Sequence, residues 1–183
     1  MSSEKNPWKT KSTRIAFENP WISVIENEVV RPNGSDGNYT FVHFKRKAVA
    51  IVPVDEEGYT WLVGQYRYTL DRYSWEVPEG GSDPGEEPVD TARRELREET
   101  GLSAEQLDLI LEMDLSNCVS DEVSFTFLAR GLSEGEMAPD ESEELKVRRV
   151  PMQEAMAMVE RGEIRDALSI GSLHAAARAI STI

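Results

Sequence analysis

Three glutamates lie close together in one short segment, at spacings that bring side chains onto the same side of a helix. Glu95 is three residues from Glu98 and four from Glu99, and residues three and four apart are neighbours on a helical surface. Carboxylate oxygens fixed on a rigid element are the ligands that Mg²⁺ and Mn²⁺ prefer, with water and phosphate filling the remaining positions. The spacing therefore points to a divalent-cation site.

The same glutamates also fit a structural interpretation. Charged helices commonly have a solvated acidic face whose carboxylates pair with basic residues one turn away, and Arg93, Arg94 and Arg97 are placed for such pairs. Against this interpretation, carboxylates at these spacings repel one another, so a purely structural helix has little reason to gather three of them. The cluster by itself leaves both interpretations open.

The helix that must position these glutamates has recognisable ends. Pro88 suits the first turn of a helix and Gly101 suits its C-terminal cap. Between them Val89, Ala92 and Leu96 form an apolar stripe. We therefore expect the helix to bury this stripe and to present the three glutamates along its edge.

Strand and helix patterns surround this segment, and a glycine-rich loop at residues 80–85 precedes it. Residues 12–45 carry short extended patterns interrupted by a turn-rich stretch, which is typical of an antiparallel strand unit. Because strands and helices are mixed, the class is α/β or α+β. The predicted strands span 48–54, 59–66, 107–115, 123–129 and 145–150, and two further helices span 152–161 and 167–180.

Composition limits the classes of function. The chain of 183 residues fits one domain with a small appendage. Its 20 Lys and Arg against 34 Asp and Glu give a net charge of −14, which argues against nucleic-acid and membrane partners. An acidic protein can still bind phosphates where cations invert the local charge. Cys118 is the single cysteine, so an internal disulfide and a four-cysteine zinc site are excluded.

The sequence also bears on location. No stretch approaches the roughly 18 apolar residues of a membrane span. The polar N-terminal residues lack the apolar core of a signal peptide. We therefore expect a cytoplasmic protein.

The three glutamates belong to a longer motif, which includes residues before the helix and after it. Gly80 and Glu86 are followed by Arg94-Glu95-Leu96-Arg97-Glu98-Glu99-Thr100-Gly101-Leu102. This 23-residue pattern resembles the Nudix box at every fixed position. The resemblance implies a Nudix-type α/β/α sandwich with a mixed sheet, plus a small N-terminal antiparallel sheet. It divides the chain into a strand region at 1–45, which serves dimerisation, and a Nudix hydrolase domain at 46–183.

The Nudix resemblance implies a cofactor and its ligands. The cofactor is Mg²⁺, with Mn²⁺ as a substitute, and Arg94 and Glu86 match a pair that supports the helix and its loop. Glycine at position 80 permits the close turn that aims a main-chain carbonyl at a cation. The implied metal ligands are Glu95, Glu98, Glu99, the backbone carbonyl of Glu79, and Glu143.

Segments 64–68 and 75–81 look like those of ADP-ribose and nucleoside-diphosphate-sugar pyrophosphatases. In that subgroup Arg67 matches an arginine that contacts substrate phosphates, a role that suits the forked guanidinium, and the alternative is a surface salt bridge. Glu76 matches a position near substrate or metal, and the alternative is an outward residue on a short strand. Trp21 and Phe17 are candidates to stack on a nucleobase, although such rings are more often core or interface residues.

The acidic residues 141–144 resemble the catalytic loop of the same subgroup. The resemblance makes Glu141 the general base and Glu143 an additional metal ligand, with Glu144 as the main rival for either role. Glu98 and Glu122 are the further catalytic candidates. An acidic loop is equally typical of a solvated mobile segment, so that interpretation stays open.

The expected reaction is Mg²⁺-dependent hydrolysis of the pyrophosphate bond in ADP-ribose or a nucleoside diphosphate sugar, giving a nucleoside monophosphate and a sugar phosphate. Two subtype markers are missing: a proline near residues 117–118 and a lysine two residues after Asp166. The substrate is therefore predicted only as a nucleoside diphosphate conjugate, acted on by a homodimer. The alternatives are a dinucleoside-polyphosphate or RNA 5′-end pyrophosphohydrolase and a non-catalytic ADP-ribose sensor.

Overall fold

The computed structural model describes residues 5–138 and 144–181, which separate into two compact units. The first unit comprises the chain up to Arg46 together with Asp114–Glu122. The second comprises Lys47–Met113 and the chain from Val123 onward. The N-terminal unit thus includes a later segment of nine residues as well as the N-terminal strands.

The first unit is built on an antiparallel sheet in the order β1-β2-β3. Its strands are β1 (Lys9–Glu18), β2 (Ile22–Val30) and β3 (Asp36–Phe44). The Asn19 side chain accepts hydrogen bonds from the backbone N–H groups of Trp21 and Ile22, which fixes the tight connection between β1 and β2. All ten residues of β1 are exposed, so this strand is an open edge among the described residues.

The second unit contains a mixed sheet in the order β7-β4-β9-β8. Strand β4 pairs in parallel with β9 and antiparallel with β7. A second sheet has the order β10-β5-β6 and is antiparallel. The strands of the two sheets are β4 (Ala48–Pro53), β5 (Tyr59–Arg67), β6 (Arg72–Glu76), β7 (Glu79–Gly81), β8 (Leu102–Leu115), β9 (Glu122–Glu134) and β10 (Lys146–Pro151).

Helices cover these sheets, and their bounds in the described chain are α1 (Pro88–Thr100), α2 (Met152–Glu160) and α3 (Ala167–Ile180). Helices α1 and α3 both pack against β4, while α2 packs against β5 and β10. The apolar side chains beneath α1 are fully buried and make one cluster, which consists of Val49, Ile51, Ala92, Leu96, Leu102, Phe127 and Ala129. Among residues 5–138 and 144–181, no helix is long and apolar enough to cross a membrane.

The mixed α/β architecture and the N-terminal antiparallel sheet confirm the predicted fold class. Helices α1 and α3 have the bounds expected from their sequence patterns. Two expectations were wrong in detail. Strand β8 begins at Leu102 instead of residue 107, since the left-handed Gly101 turns the chain directly from α1 into the strand. Residues 79–81 form a short strand instead of a loop, because Gly80 pairs with Val49 of β4.

Candidate active site

Helix α1 places its glutamates at different depths. Pro88 occupies the first turn, and Gly101 adopts a left-handed conformation with φ of 73° and donates its N–H to the Arg97 carbonyl. Glu99 is only 3% exposed, so it belongs to the buried stripe and does not merely lie at its edge. Glu95 and Glu98 are partly buried. A buried carboxylate requires a hydrogen-bond donor or a cation close by.

Arg94 joins the loop before α1 to the helix itself. Its Nε and Nη2 donate to Glu86 Oε1 and Oε2 at 3.1 and 2.9 Å, and Nη2 also donates to the Gly81 carbonyl at 3.1 Å. The hydrogen bonds from Arg94 lower the pKa of Glu86 to about 2, against an opposing effect of desolvation. Arg94 Nη1 reaches Glu95 at 2.7 Å and Glu98 at 3.0 Å. The link implied between Arg94 and Glu86 is therefore present, and the same guanidinium holds two of the helix glutamates.

The short strand β7 brings main-chain groups against the helix glutamates. The Glu79 N–H donates to Glu99 Oε2 at 2.9 Å. A Cβ atom on Gly80 would collide with the Glu95 carboxylate. A Cβ atom at position 80 would therefore push the Glu95 carboxylate aside, and this close approach places Glu95, Glu99 and the Glu79–Gly80 backbone in one small region.

Arg67, at the end of β5, lies among carboxylates. Its Nε is 3.0 Å from both oxygens of Glu76, its Nη2 also bonds Glu76, and Nη2 reaches Glu79 Oε1 at 2.7 Å. Glu76 is 3% exposed, so the alternative of an outward residue on a short strand is wrong. Burial would lower the pKa of Arg67, but the hydrogen bonds that it donates to Glu76 and the charges of Glu79 and Glu76 raise it. Arg67 is therefore the counter-ion of a buried acidic group.

The Glu79 carboxyl lies near several other carboxylates, and Arg67 balances only part of their negative charge. Burial, and then the nearby charges of Asp166 and Glu76, raise the pKa of the Glu79 carboxyl well above its ordinary value. Its Oε2 atom is buried and has no hydrogen-bond partner in the described part of the chain. An unsatisfied buried carboxylate oxygen is costly and indicates a place where a cation would be favourable.

The comparisons with known proteins agree with this geometry. Residues 44–169 match the family model of the NUDIX domain. The chain belongs to the Nudix family. The Nudix resemblance predicted from the sequence is thereby confirmed. Residues 8–42 match a second model, the nucleoside diphosphate sugar hydrolase N-terminal domain.

Two Nudix relatives cover most of the chain. An ADP-ribose pyrophosphatase of Bacillus subtilis is 37% identical over 161 residues, which are 87% of this chain and 86% of that protein. An ADP-ribose pyrophosphatase of Mycobacterium tuberculosis is 40% identical over 173 residues, 92% of this chain and 83% of that protein. A solved structure, described as an ADP compounds hydrolase, has a TM-score of 0.87 and covers 99% of this chain and 98% of that one. Its 22% identity supports the Nudix fold alone.

The acidic groups of this Nudix site suit a hard divalent cation. Among the described residues, no three carboxylates, histidines or cysteines are already gathered as an ion-binding group, and Arg94 holds Glu95 and Glu98. The buried Glu99 carboxylate, the orphaned oxygen of Glu79 and the Glu95 carboxylate, which lies against Gly80, are nevertheless oxygen donors carried by α1 and β7. These donors suit a hard divalent cation, which would take over carboxylate oxygens that Arg94 and Arg67 bind in this structure.

The remaining predicted site residues belong to the first unit or fall at the gap in the described chain. Glu141 and Glu143 lie outside the described residues, and Glu144 is exposed at the edge of that gap. Glu122 and Trp21 belong to the first unit, where Trp21 is 59% exposed. Within that unit Trp21 is therefore not a core residue, and neither is the exposed Phe17.

The sequence predictions missed the contribution of α3 to this Nudix site. Asp166 caps the helix by accepting the Ser169 N–H at 2.6 Å, and its charge acts on both Arg67 and Glu79. Ser169 accepts the Val77 N–H at 3.0 Å. The capping pair Asp-x-x-Ser was readable as a helix start. Its proximity to the acidic group was not, because 92 residues separate Val77 from Ser169.

Proposed function

We propose that this Nudix protein hydrolyses the pyrophosphate bond of ADP-ribose or a related nucleoside diphosphate sugar, with Mg²⁺ as cofactor. The observation that carries the proposal is the buried Glu99 carboxylate bound to the Glu79 N–H, beside a Glu95 carboxylate that lies directly against Gly80. Two ADP-ribose pyrophosphatases at 37% and 40% identity support the substrate class.

The cation ligands that we propose are Glu95, Glu98, Glu99 and the Glu79 carbonyl, with Glu143 as an additional ligand. When bound, Mg²⁺ would neutralise phosphate charge and lower the pKa of the attacking water. Mn²⁺ would substitute, since it accepts the same oxygen donors. Glu98 is the most exposed of the three helix glutamates, at 29% of its side chain, and it is therefore suited to a contact through water.

The remaining roles belong to side chains around the phosphates. Water attacks one phosphorus, the bridging oxygen leaves with the other phosphate, and a carboxylate accepts the proton of the water. We propose Glu141 as this base, with Glu122 and Glu144 as rivals. Arg67 would contact the phosphates through its forked guanidinium, and Glu76 would hold Arg67 in place.

The first unit supports two further proposals. Its β1 edge is fully exposed and carries the apolar side chains Ile15 and Phe17, both more than half exposed. Such an edge favours pairing with another chain, so we propose a homodimer formed through this sheet. Trp21 would stack on the nucleobase, because a flat ring covers a base without hydrogen bonding to it.

A panel of substrates at fixed Mg²⁺ concentration tests the proposed function. ADP-ribose, GDP-mannose, UDP-glucose, a dinucleoside polyphosphate and a 5′-triphosphorylated RNA are compared by kcat/KM. We expect the highest values among ADP-ribose and the nucleoside diphosphate sugars, with release of a nucleoside monophosphate. A preference for RNA or for dinucleoside polyphosphates would refute the substrate class. Binding of ADP-ribose without turnover would favour a sensor.

A further inference from the structure

The five-residue segment Glu76–Gly80 carries acidic and main-chain groups of the site and is held by three elements. The Val77 N–H donates to Ser169 Oγ of α3 at 3.0 Å. The Pro78 carbonyl accepts the Ile51 N–H of β4 at 2.8 Å. The Glu79 N–H donates to Glu99 of α1 at 2.9 Å. The contact from α3 is made to the Glu76–Val77 peptide, whereas the contacts from β4 and α1 are made to the carbonyl and the N–H of the Pro78–Glu79 peptide.

The hydrogen bond from the Val77 N–H to the Ser169 hydroxyl of α3 is buried away from water. Ser169 is 0% exposed and Val77 is 0% exposed, so water cannot replace the hydroxyl without rearrangement. The Ser169 backbone is itself fixed by the Asp166 cap at 2.6 Å. The hydroxyl therefore holds the peptide directly after Glu76, the carboxylate that binds Arg67 with both oxygens.

A second buried serine on the same helix serves as a comparison. Ser172 lies one turn further along α3, is also 0% exposed, and shares a hydrogen bond of 2.8 Å with Thr126 of β9. Thr126 lies in β9 and does not belong to the Glu76–Gly80 segment. The side chains of Ser169 and Ser172 thus each make one buried hydrogen bond, but only that of Ser169 is made to the Glu76–Gly80 segment.

We propose that Ser169 is a positioning residue for the reaction, acting through the Val77 peptide on the placement of Glu76 and Glu79. The inference rests on the proposed function. It assigns a role to the hydroxyl that α3 presents to the Val77 N–H, directly after the end of β6. Without the hydroxyl, the Glu76–Gly80 segment would keep its pairing with β5 and its links to β4 and α1, but would lose the link from α3 to the Val77 N–H.

The test compares Ser169→Ala with Ser172→Ala, and uses Ser169→Thr to restore the hydroxyl. We expect Ser169→Ala to lower kcat by about tenfold or more, on the scale of an ångström-sized misplacement, with KM for ADP-ribose changing less. Ser172→Ala should lower the melting temperature by a similar amount while kcat stays close to wild type. Ser169→Thr should recover most of the lost kcat.

A second readout does not depend on turnover. Mn²⁺ binding is titrated by electron paramagnetic resonance of the free ion, and we expect Ser169→Ala to weaken binding several-fold while Ser172→Ala does not. Equal kcat and equal Mn²⁺ affinity in the two alanine variants would overturn the proposal. If the wild-type protein released no monophosphate, the proposed function would fail, and the Mn²⁺ titration would still decide the role of Ser169.

Discussion

Arg67 shows at the scale of a single residue why the site must change when substrate arrives. Its guanidinium already satisfies Glu76 and Glu79, and Glu76 is almost completely buried. Phosphate oxygens can bind Arg67 only by sharing or replacing these carboxylates. Because an uncompensated buried carboxylate is unfavourable, phosphate binding should be easiest when a cation has taken over part of the acidic group.

Replacing Arg67 by lysine tests its role towards the phosphates. Lysine keeps the charge near Glu76 but cannot form a two-pronged contact. We expect Arg67→Lys to raise KM for ADP-ribose by about tenfold, since a charged hydrogen bond contributes about 1.5–3 kcal/mol. Steady-state kinetics measure the change, with the exposed Arg97→Lys as control. An unchanged KM would remove Arg67 from substrate binding.

Replacing Glu79 tests whether the carboxylates around it destabilise the protein when no divalent cation is bound. Its raised pKa means that the folded protein binds this proton more readily than the unfolded chain, so the ionised carboxylate reduces stability above its ordinary pKa of 4.5. We expect Glu79→Gln in EDTA at pH 7 to raise the melting temperature by roughly 2–4 °C. The gain should shrink as the pH falls towards 4.5, and the exposed Glu160→Gln should show none. A lower melting temperature at pH 7 would contradict this account of the charge.

At the scale of elements, α1 and the loop before it depend on the Glu86–Arg94 link. Glu86 also accepts the Asp83 N–H and the Thr91 hydroxyl, at 2.9 and 3.0 Å. One carboxylate therefore connects the loop, the first turn of α1 and Arg94. The exposed pair of Asp90 with Arg93 on the same helix has no such connection to the loop, and exposed pairs contribute little.

Glu86→Gln should therefore destabilise the protein, by about 1 kcal/mol or roughly 2–4 °C at pH 7. The pKa of Glu86 is lowered to about 2, so its contribution is present above the ordinary value of 4.5 and is lost as the pH falls from there towards 2. Thermal unfolding in EDTA across this range should show the two proteins converging. Asp90→Asn is the matched control, and an equal loss in both variants would argue against a special role for Glu86.

Some features of the helices and strands were predictable from the sequence, and others were not. The ends of α1 and α3 were predictable, because proline, glycine and capping residues act locally. The burial of Glu99 was not predictable, since the residue spacing placed this glutamate only at the edge of the apolar stripe. The contacts of Arg67 depend on the pairing of β5 with β6, and that of Ser169 depends on how α3 meets the end of β6. Long-range contacts of this kind leave no local pattern.

At the scale of the whole molecule, the net charge of −14 is compatible with a phosphate substrate because much of the acidic charge near the site faces a proposed cation. The separate N-terminal unit has its own sheet and its own family match at residues 8–42. Its exposed β1 edge is the feature that suggests assembly.

Sedimentation velocity tests that assembly. We expect the wild-type protein to have twice the mass of one chain. Phe17→Glu, which places a charge on the exposed edge, should shift it towards the monomer, because an unpaired charge opposes strand pairing. A monomeric wild-type protein would contradict the proposed homodimer.

The carboxylate of Glu99 is the central group of the proposed metal site. The most direct measurement follows the release of AMP and ribose 5-phosphate from ADP-ribose with Mg²⁺, in the wild type and in Glu99→Gln, with Asp90→Asn as control. We predict that the wild type and the control each release AMP and ribose 5-phosphate in equal amounts. For Glu99→Gln we predict a loss of at least about a hundredfold in kcat/KM, as expected when one preorganised charge is removed. Turnover of Glu99→Gln within a few-fold of the wild type would contradict the account.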